Sequence, residues 1–156
     1  MARYSGMIQH GWAIAERPGL FIEAQFHAVW IDPGGELIDV TPTQKGETEI
    51  LFLPDPEEAF DENALVRRNN IRLAEYDHPV IHEYLTHVEA LKQYEESCTN
   101  PNNPREMILD RDIYESMRSK IAALELRMLA LIPGRNSLCC CGSGKKFKHG
   151  CGARGV

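Results

Sequence analysis

The sequence predicts an α+β fold: a small antiparallel sheet, then a C-terminal helical hairpin, then a small zinc knuckle. Three observations support this prediction. Short apolar segments separated by turn residues fill the first third of the chain. Two longer segments with helical periodicity follow them. Four of the five cysteines then lie in the last 23 residues, which contain no Asp or Glu.

The sheet is expected over about residues 11–53, in four strands. The segments between them are short and rich in Pro and Gly, as in Arg17-Pro18-Gly19 and Asp32-Pro33-Gly34-Gly35. Pro presets φ and Gly accepts positive φ, so these segments are typical of tight turns between antiparallel neighbours. The predicted strands are residues 11–16, 20–31, 36–42 and 47–54.

The segment that follows the sheet is less regular. Pro54-Asp55-Pro56 ends the strand pattern, and residues 57–66 are compatible with a short helix that has acidic residues near its start. The next apolar segment, IRLAEY from Ile71 to Tyr76, fits either a helix or a further strand.

The two helices of the hairpin are predicted at about residues 79–98 and 106–131. Pro79 suits a first helical turn, and the sequence TNPNNP between the helices cannot continue one. Pro133-Gly134 ends the second helix and is the predicted boundary between a body, residues 1–133, and a C-terminal module, residues 134–156. Apolar stripes predict that the helices pack through Ile81, Tyr84, Leu85, Val88 and Leu91 and through Ile113, Met117, Ile121, Leu124, Met128 and Leu131.

Charge separates these two parts as well. The net charge is −6, yet the C-terminal module holds five basic side chains and no acidic one. The body therefore carries 12 basic and 23 acidic side chains. An acidic body does not favour nucleic acid, and an anionic partner is expected to meet the basic module.

The cysteines of the module have the spacing of metal ligands. Cys139 and Cys141 flank a single residue, and Cys151 returns ten residues later. Structural zinc sites use four thiolate or imidazole ligands in a tetrahedron. The module is too short and too polar to bury a core of its own, so we expect one structural Zn²⁺ to supply most of its folding free energy.

The segment GRNSLCCCGSGKKFKHGCG, from Gly134 to Gly152, resembles the SEC-C motif. This zinc-binding module is best known from the C-terminus of the bacterial preprotein translocase ATPase, where it docks a chaperone. The resemblance implies a zinc-binding module in a bacterial or phage protein. The positions that match are Gly134, Arg135, Asn136, Cys139, Cys141, Gly142, Ser143, Gly144, Lys145, Lys146, Lys148, Cys151 and Gly152.

One ligand position of that motif falls on Gly150, which cannot bind a metal. Three ligands therefore match, namely Cys139, Cys141 and Cys151. His149 is the first candidate for the fourth ligand, and Cys140, which stands where the motif has Pro, is the second. The third alternative is a water ligand or the absence of a tight site. The predicted ligand set is thus Cys139, Cys141, His149 and Cys151.

The leading functional hypothesis is a non-catalytic adaptor whose basic module docks a protein, a ribosome or another anionic surface. The expected contact residues are Arg135, Lys145, Lys146, Phe147 and Lys148. No segment has the roughly 18 apolar residues of a membrane span, and the N-terminus has no secretory pattern. Five cysteines without export favour a cytoplasmic protein with thiols or metal ligands.

An alternative hypothesis concerns the body. Residues 20–42 weakly resemble the His–Asp half of transglutaminase-like and papain-like cysteine hydrolases, with His27 on one strand and Asp39 on the next. Such a pair activates and orients a thiol nucleophile. No cysteine precedes His27, so Cys98 is the candidate nucleophile, in an altered chain order. This hypothesis allows an active or a decayed hydrolase domain that the zinc module targets.

Overall fold

The computed structural model describes residues 6–42, 49–58, 60, 68–103 and 105–153. It confirms the α+β class: a curled antiparallel sheet, two helices and a cysteine-rich C-terminal segment. The strands are β1 Met7–Arg17, β2 Phe21–Ile31, β3 Leu37–Ile38, β4 Leu51–Pro54 and β5 Ile71–Ala74. The helices are α1 Pro79–Ser97 and α2 Arg111–Leu129, and single 3-10 turns cover Phe147–His149 and Cys151–Ala153.

The sheet has the strand order β3-β2-β1-β4, and β5 also pairs with β2. The ambiguous IRLAEY segment is therefore a strand. Strand β3 is shorter than predicted because the Asp39 carboxylate accepts a hydrogen bond from the Thr41 N–H at 2.9 Å, which turns the chain out of the sheet. Most of the helix proposed for residues 57–66 lies outside the described residues.

The chain divides into two compact units. The first comprises Met1–Ala15 and Ala24–Glu62, and it holds most of β1 and β2 with β3 and β4. Within it, the Trp12 indole N–H donates to the Asp55 carboxylate at 3.0 Å.

The second unit comprises Glu16–Glu23 and Asn63–Val156. It combines the turn between β1 and β2 with β5, both helices and the C-terminal module. The proposed boundary at Pro133-Gly134 thus falls inside this unit, and it stays a prediction.

The core of the second unit lies where the helix stripes meet the start of β2. Phe21 is 1% exposed, and its ring stacks on Tyr84 with centroids 5.8 Å apart. The fully buried members of this cluster are Leu20, Phe21, Ile81, Tyr84, Leu124 and Met128. Ile113, at the start of the predicted α2 stripe, is 48% exposed and outside this core.

Both helices begin at side-chain caps. The Asp110 carboxylate accepts hydrogen bonds from the N–H groups of Asp112 and Ile113, so α2 starts five residues later than predicted. Residues 99 and 107 instead form an isolated antiparallel bridge. At α1 the His78 imidazole accepts from the Val80 N–H, and Pro79 takes the first helical position as expected.

Candidate metal centre

The metal centre is built on a short antiparallel ribbon. Leu138 pairs with Lys146, the Cys139 N–H donates to the Lys145 carbonyl at 2.8 Å, and the Phe147 N–H donates to the Ser137 carbonyl at 2.8 Å. Gly142 and Gly144 make the turn between the two sides with φ values of 70° and 71°, which L-residues with a Cβ rarely adopt. This turn brings the cysteines before it and Cys151 after it to one place.

Three thiols meet there. The Sγ atoms of Cys139, Cys140 and Cys151 all lie within 4.8 Å of one another. Sulfur atoms about 2.3 Å from a tetrahedral ion are about 3.8 Å apart, so this group needs only a small contraction to hold a metal ion. Cys139 and Cys151 are 6% and 3% exposed, and Cys140 is half-buried.

Cys141 adds a fourth sulfur beside Cys139. Its Sγ lies 3.3 Å from Cys139 Sγ and 3.2 Å from the Ser143 hydroxyl, although it stands outside the three-sulfur group. Cys139 Sγ thus lies near the sulfurs of all three other cysteines of the module, and none of the four is in a disulfide. A donor set made of thiols suits soft or borderline metals.

Hydrogen bonding divides the charge unequally among the thiols. The Cys151 N–H donates to Cys139 Sγ at 3.3 Å, and this bond, with one from the Cys141 N–H, lowers the pKa of the Cys139 thiol to about 6. Burial acts in the opposite direction on its neighbour and raises the pKa of the Cys151 thiol to about 12. At neutral pH Cys139 therefore carries the thiolate of this pair, and metal binding at Cys151 must displace a proton.

This difference predicts a pH dependence of the metal-free protein. After chelator treatment, the ultraviolet thiolate absorbance should show a one-cysteine step near pH 6, because the folded pKa of Cys139 is about 6. An unfolded cysteine titrates near about 8.5, so stability should rise as the pH increases from the folded to the unfolded pKa. As the pH falls from the unfolded to the folded pKa of Cys139, this contribution to the free energy of unfolding is lost. Cys139→Ser should remove both effects, and a step that survives in this variant would contradict the assignment.

The module has a small core, which the sequence analysis did not expect. Phe147 is 6% exposed and clusters with Cys139 and Cys151, and Ile132 and Cys140 pack against them. A Cβ added at Gly152 would lie 2.7 Å from the Phe147 ring, so the chain passes directly over it. Phe147 is thus an interior residue of the module, and its ring is not available for the partner contact expected of it.

His149 also differs from its expected place. It lies on the 3-10 turn Phe147–His149, it is exposed, and the group of possible ligands does not include it. Cys140, the second candidate in the sequence analysis, occupies the position beside Cys139 and Cys151 instead.

The basic residues of the module lie on its surface. Arg135, Lys145 and Lys146 are exposed and Lys148 is half-buried. Among the described residues, no recorded ion pair includes any of these four cations. Leu138, which pairs with Lys146, is 72% exposed and places an apolar side chain among them.

The structure brings two residues of the alternative hypothesis together. His27 Nε2 lies 3.0 Å from Asp39 Oδ1, in the first unit. Burial opposes ionisation of Asp39, but the hydrogen bonds from the Thr41 N–H and from His27 outweigh it and lower its pKa.

The candidate nucleophile Cys98 belongs to the second unit, at the C-terminal end of α1. There its N–H donates to the carbonyl of Tyr94 at 3.1 Å. The first unit contains no cysteine, because all five lie at or after position 98.

Two contacts of the metal centre had no signal in the sequence. A Cβ added at Gly19 would lie 3.0 Å from Cys140 Sγ, and the Cys140 thiol is close enough to the Tyr76 hydroxyl to raise the pKa of Tyr76. Both residues are more than 60 positions from Cys140. The hydrogen bond from the Glu75 N–H to the Leu20 carbonyl holds the segments of Gly19 and Tyr76 side by side.

None of the helices in the described part of the chain is long and apolar enough to cross a membrane. Comparisons with protein-family models, with curated proteins and with solved structures find no match to this chain. The geometry of the chain itself shows a group of three cysteines that could hold a metal ion.

Proposed function

We propose that the C-terminal module binds one structural Zn²⁺ and serves as a docking element for an acidic protein partner, which makes the chain a non-catalytic adaptor. The observation that carries this proposal is the group of Cys139, Cys140 and Cys151, in a segment whose Arg135, Lys145 and Lys146 are exposed. Free thiols in this number suit the reducing cytoplasm, where we place the protein.

Zinc is the metal that this donor set favours. Tetrahedral thiolate sites hold zinc or iron–sulfur clusters, and zinc needs no redox partner or assembly chemistry. The core around Phe147 is small, so a bound ion would contribute much of the stability of the module. The resemblance of Gly134–Gly152 to the SEC-C motif supports the same metal.

The partner class follows from the surface of the module. Its exposed cations have no recorded ion pair among the described residues, and the exposed Leu138 side chain lies beside them. An acidic protein surface with an apolar residue would complement both features. Nucleic acid is a weaker candidate, because Asp and Glu outnumber Lys and Arg in the chain by 23 to 17.

A charge reversal in the full-length protein tests this function. We expect Lys145→Glu with Lys146→Glu to abolish capture of the partner by crosslinking and mass spectrometry, because the reversed charges repel an acidic surface. The matched control reverses two exposed cations on α2, Arg111→Glu with Lys120→Glu. Zinc content and thermal unfolding of all three proteins should agree.

Capture of the same proteins by both variants would contradict docking through the module. A truncation at position 133 would not test docking alone, because Ile132 packs against the core of the module and against the helix core. A loss of binding after truncation would then also reflect damage to the second unit.

The hydrogen bond between His27 and Asp39 is the one observation that favours the hydrolase alternative. We rank it second because the first unit, which holds this pair, contains no cysteine. A rate of Cys98 modification by an electrophilic probe that depends on His27 would reverse this ranking.

A further inference from the structure

We infer that Cys140 supplies the fourth thiolate of the metal centre and that the turn between β1 and β2 holds it in place. The metal site is then built jointly by the C-terminal module and by residues more than 60 positions earlier in the chain. This inference rests on the proposed zinc binding, but not on the proposed docking.

The sulfur positions give the first argument. Cys140 Sγ is within 4.8 Å of both Cys139 Sγ and Cys151 Sγ, and Cys141 Sγ is 3.3 Å from Cys139 Sγ. Cys139 Sγ is therefore close to the other three sulfurs, and four protein ligands are the coordination number of a closed structural zinc site. His149 is exposed and outside the group, so the site needs no imidazole.

Position 150 gives the second argument. A Cβ added at Gly150 would lie 2.6 Å from Cys139 Sγ, so a side chain at this position would point into the thiol cluster. Glycine supplies no ligand from that direction. The half-buried Cys140 thiol, whose Sγ lies within 4.8 Å of Cys139 Sγ and Cys151 Sγ, provides the missing donor.

The contacts of Cys140 outside the module give the third argument. Gly19 has a φ of 81°, the value at the third position of a type II turn after Pro18, and its Cα approaches Cys140 Sγ closely. The Gly19 N–H donates to the Glu75 carboxylate at 2.8 Å, and the Glu75 N–H donates to the Leu20 carbonyl at 3.0 Å.

These bonds fix the turn beside Tyr76, whose hydroxyl lies close to the Cys140 thiol. Hydrogen bonds from outside a metal site orient its ligands and tune their charge. Tyr76 and the β1–β2 turn therefore act as positioning residues for Cys140.

Cobalt and zinc binding to the full-length protein test the ligand. The wild-type protein should bind one Co²⁺ with the charge-transfer intensity of four thiolates, and His149→Ala should match it. Cys140→Ser should show three thiolates and lose at least about 100-fold in zinc affinity, since outer-shell partners alone contribute about 10–100-fold. Retained affinity in Cys140→Ser together with loss in His149→Ala would overturn the inference.

A second measurement does not depend on a variant that folds. In the zinc-bound wild-type protein, a maleimide should modify Cys98 and leave the other four cysteines protected. Modification of Cys140 while zinc stays bound would overturn its role. Failure of the wild-type protein to bind zinc or cobalt would instead contradict the proposed function itself.

A pair of glycines tests the role of the turn. Gly19 and Gly35 have φ values of 81° and 88°, but a Cβ at Gly35 would meet nothing within 4 Å. Alanine at either position introduces the same backbone strain. Only Gly19→Ala should lower zinc affinity, by about 10-fold, as loss of an outer-shell contact does. Equal affinities in the two variants would show that the turn does not position Cys140.

Discussion

Cys139→Ser is expected to abolish zinc binding and to remove the stabilisation that zinc gives to the second unit. Cys139 lies close to each of the other three cysteines of the module. It belongs to the three-sulfur group, its Sγ is 3.3 Å from Cys141 Sγ, and it accepts a hydrogen bond from the Cys151 N–H. Serine cannot replace the thiolate, because its hydroxyl stays protonated at neutral pH and binds zinc weakly.

The magnitude follows from the linkage between metal binding and folding. Structural zinc binds to zinc-finger peptides with an apparent free energy of about 10–16 kcal/mol. A ligand at 1,000 times its Kd stabilises the folded state by about 4.1 kcal/mol. At a zinc concentration about 1,000 times the Kd, Cys139→Ser should therefore lower the free energy of unfolding by about 4.1 kcal/mol.

Zinc analysis of the purified proteins and urea unfolding with and without a chelator measure this loss. Cys98→Ser is the matched control, because Cys98 is a half-buried thiol outside the cluster. It should keep its zinc and its response to the chelator, whereas Cys139→Ser should have neither. One equivalent of zinc bound to Cys139→Ser would show that the metal site lies elsewhere in the chain.

The regular elements were the most predictable part of this fold. The apolar stripe that begins at Ile81 and Tyr84 identified α1, because helical periodicity is a local property of the sequence. The start of α2 also had a local signal, since Asp110 is a favoured N-cap residue, but the longer apolar pattern concealed it. The end of β3 depended on a side-chain hydrogen bond of Asp39 that competes with the sheet.

The metal centre was predictable only in part. The spacing of Cys139 and Cys151 indicated a metal site, because ligands on two sides of a glycine turn must converge. The direction of the Cys140 side chain could not be read from the spacing, since it depends on the twist of the ribbon. Its contacts with Gly19 and Tyr76 are equally hidden, because they require the sheet to be assembled first. The burial of Phe147 could not be read from the sequence either, because it also depends on the assembled fold.

Arg72→Met is expected to destabilise the second unit by about 3–5 kcal/mol, the cost of removing one partner from a buried ion pair. The Arg72 guanidinium lies 2.6 Å from the Glu23 carboxylate, and the two side chains are 16% and 9% exposed. The Asn70 amide also donates to Glu23 at 3.0 Å. Without Arg72, the Glu23 carboxylate would remain buried with its negative charge no longer balanced.

A double-mutant cycle separates that cost from the net contribution of the pair. Glu23→Gln removes the charge that Arg72→Met leaves unbalanced, so the double variant should be more stable than Arg72→Met alone. Urea unfolding of the four proteins measures the coupling.

The exposed pair of Arg111 and Glu115 is the control for ion pairing in general. Its atoms are 2.8 Å apart, but both side chains are more than half exposed. Arg111→Met should therefore change the free energy of unfolding by less than about 1 kcal/mol. If Arg72→Met costs no more than Arg111→Met, water screens the Glu23–Arg72 pair as well as it screens a surface pair. Strand β5 is then held to β2 by its backbone hydrogen bonds and apolar contacts, and not by this charge pair.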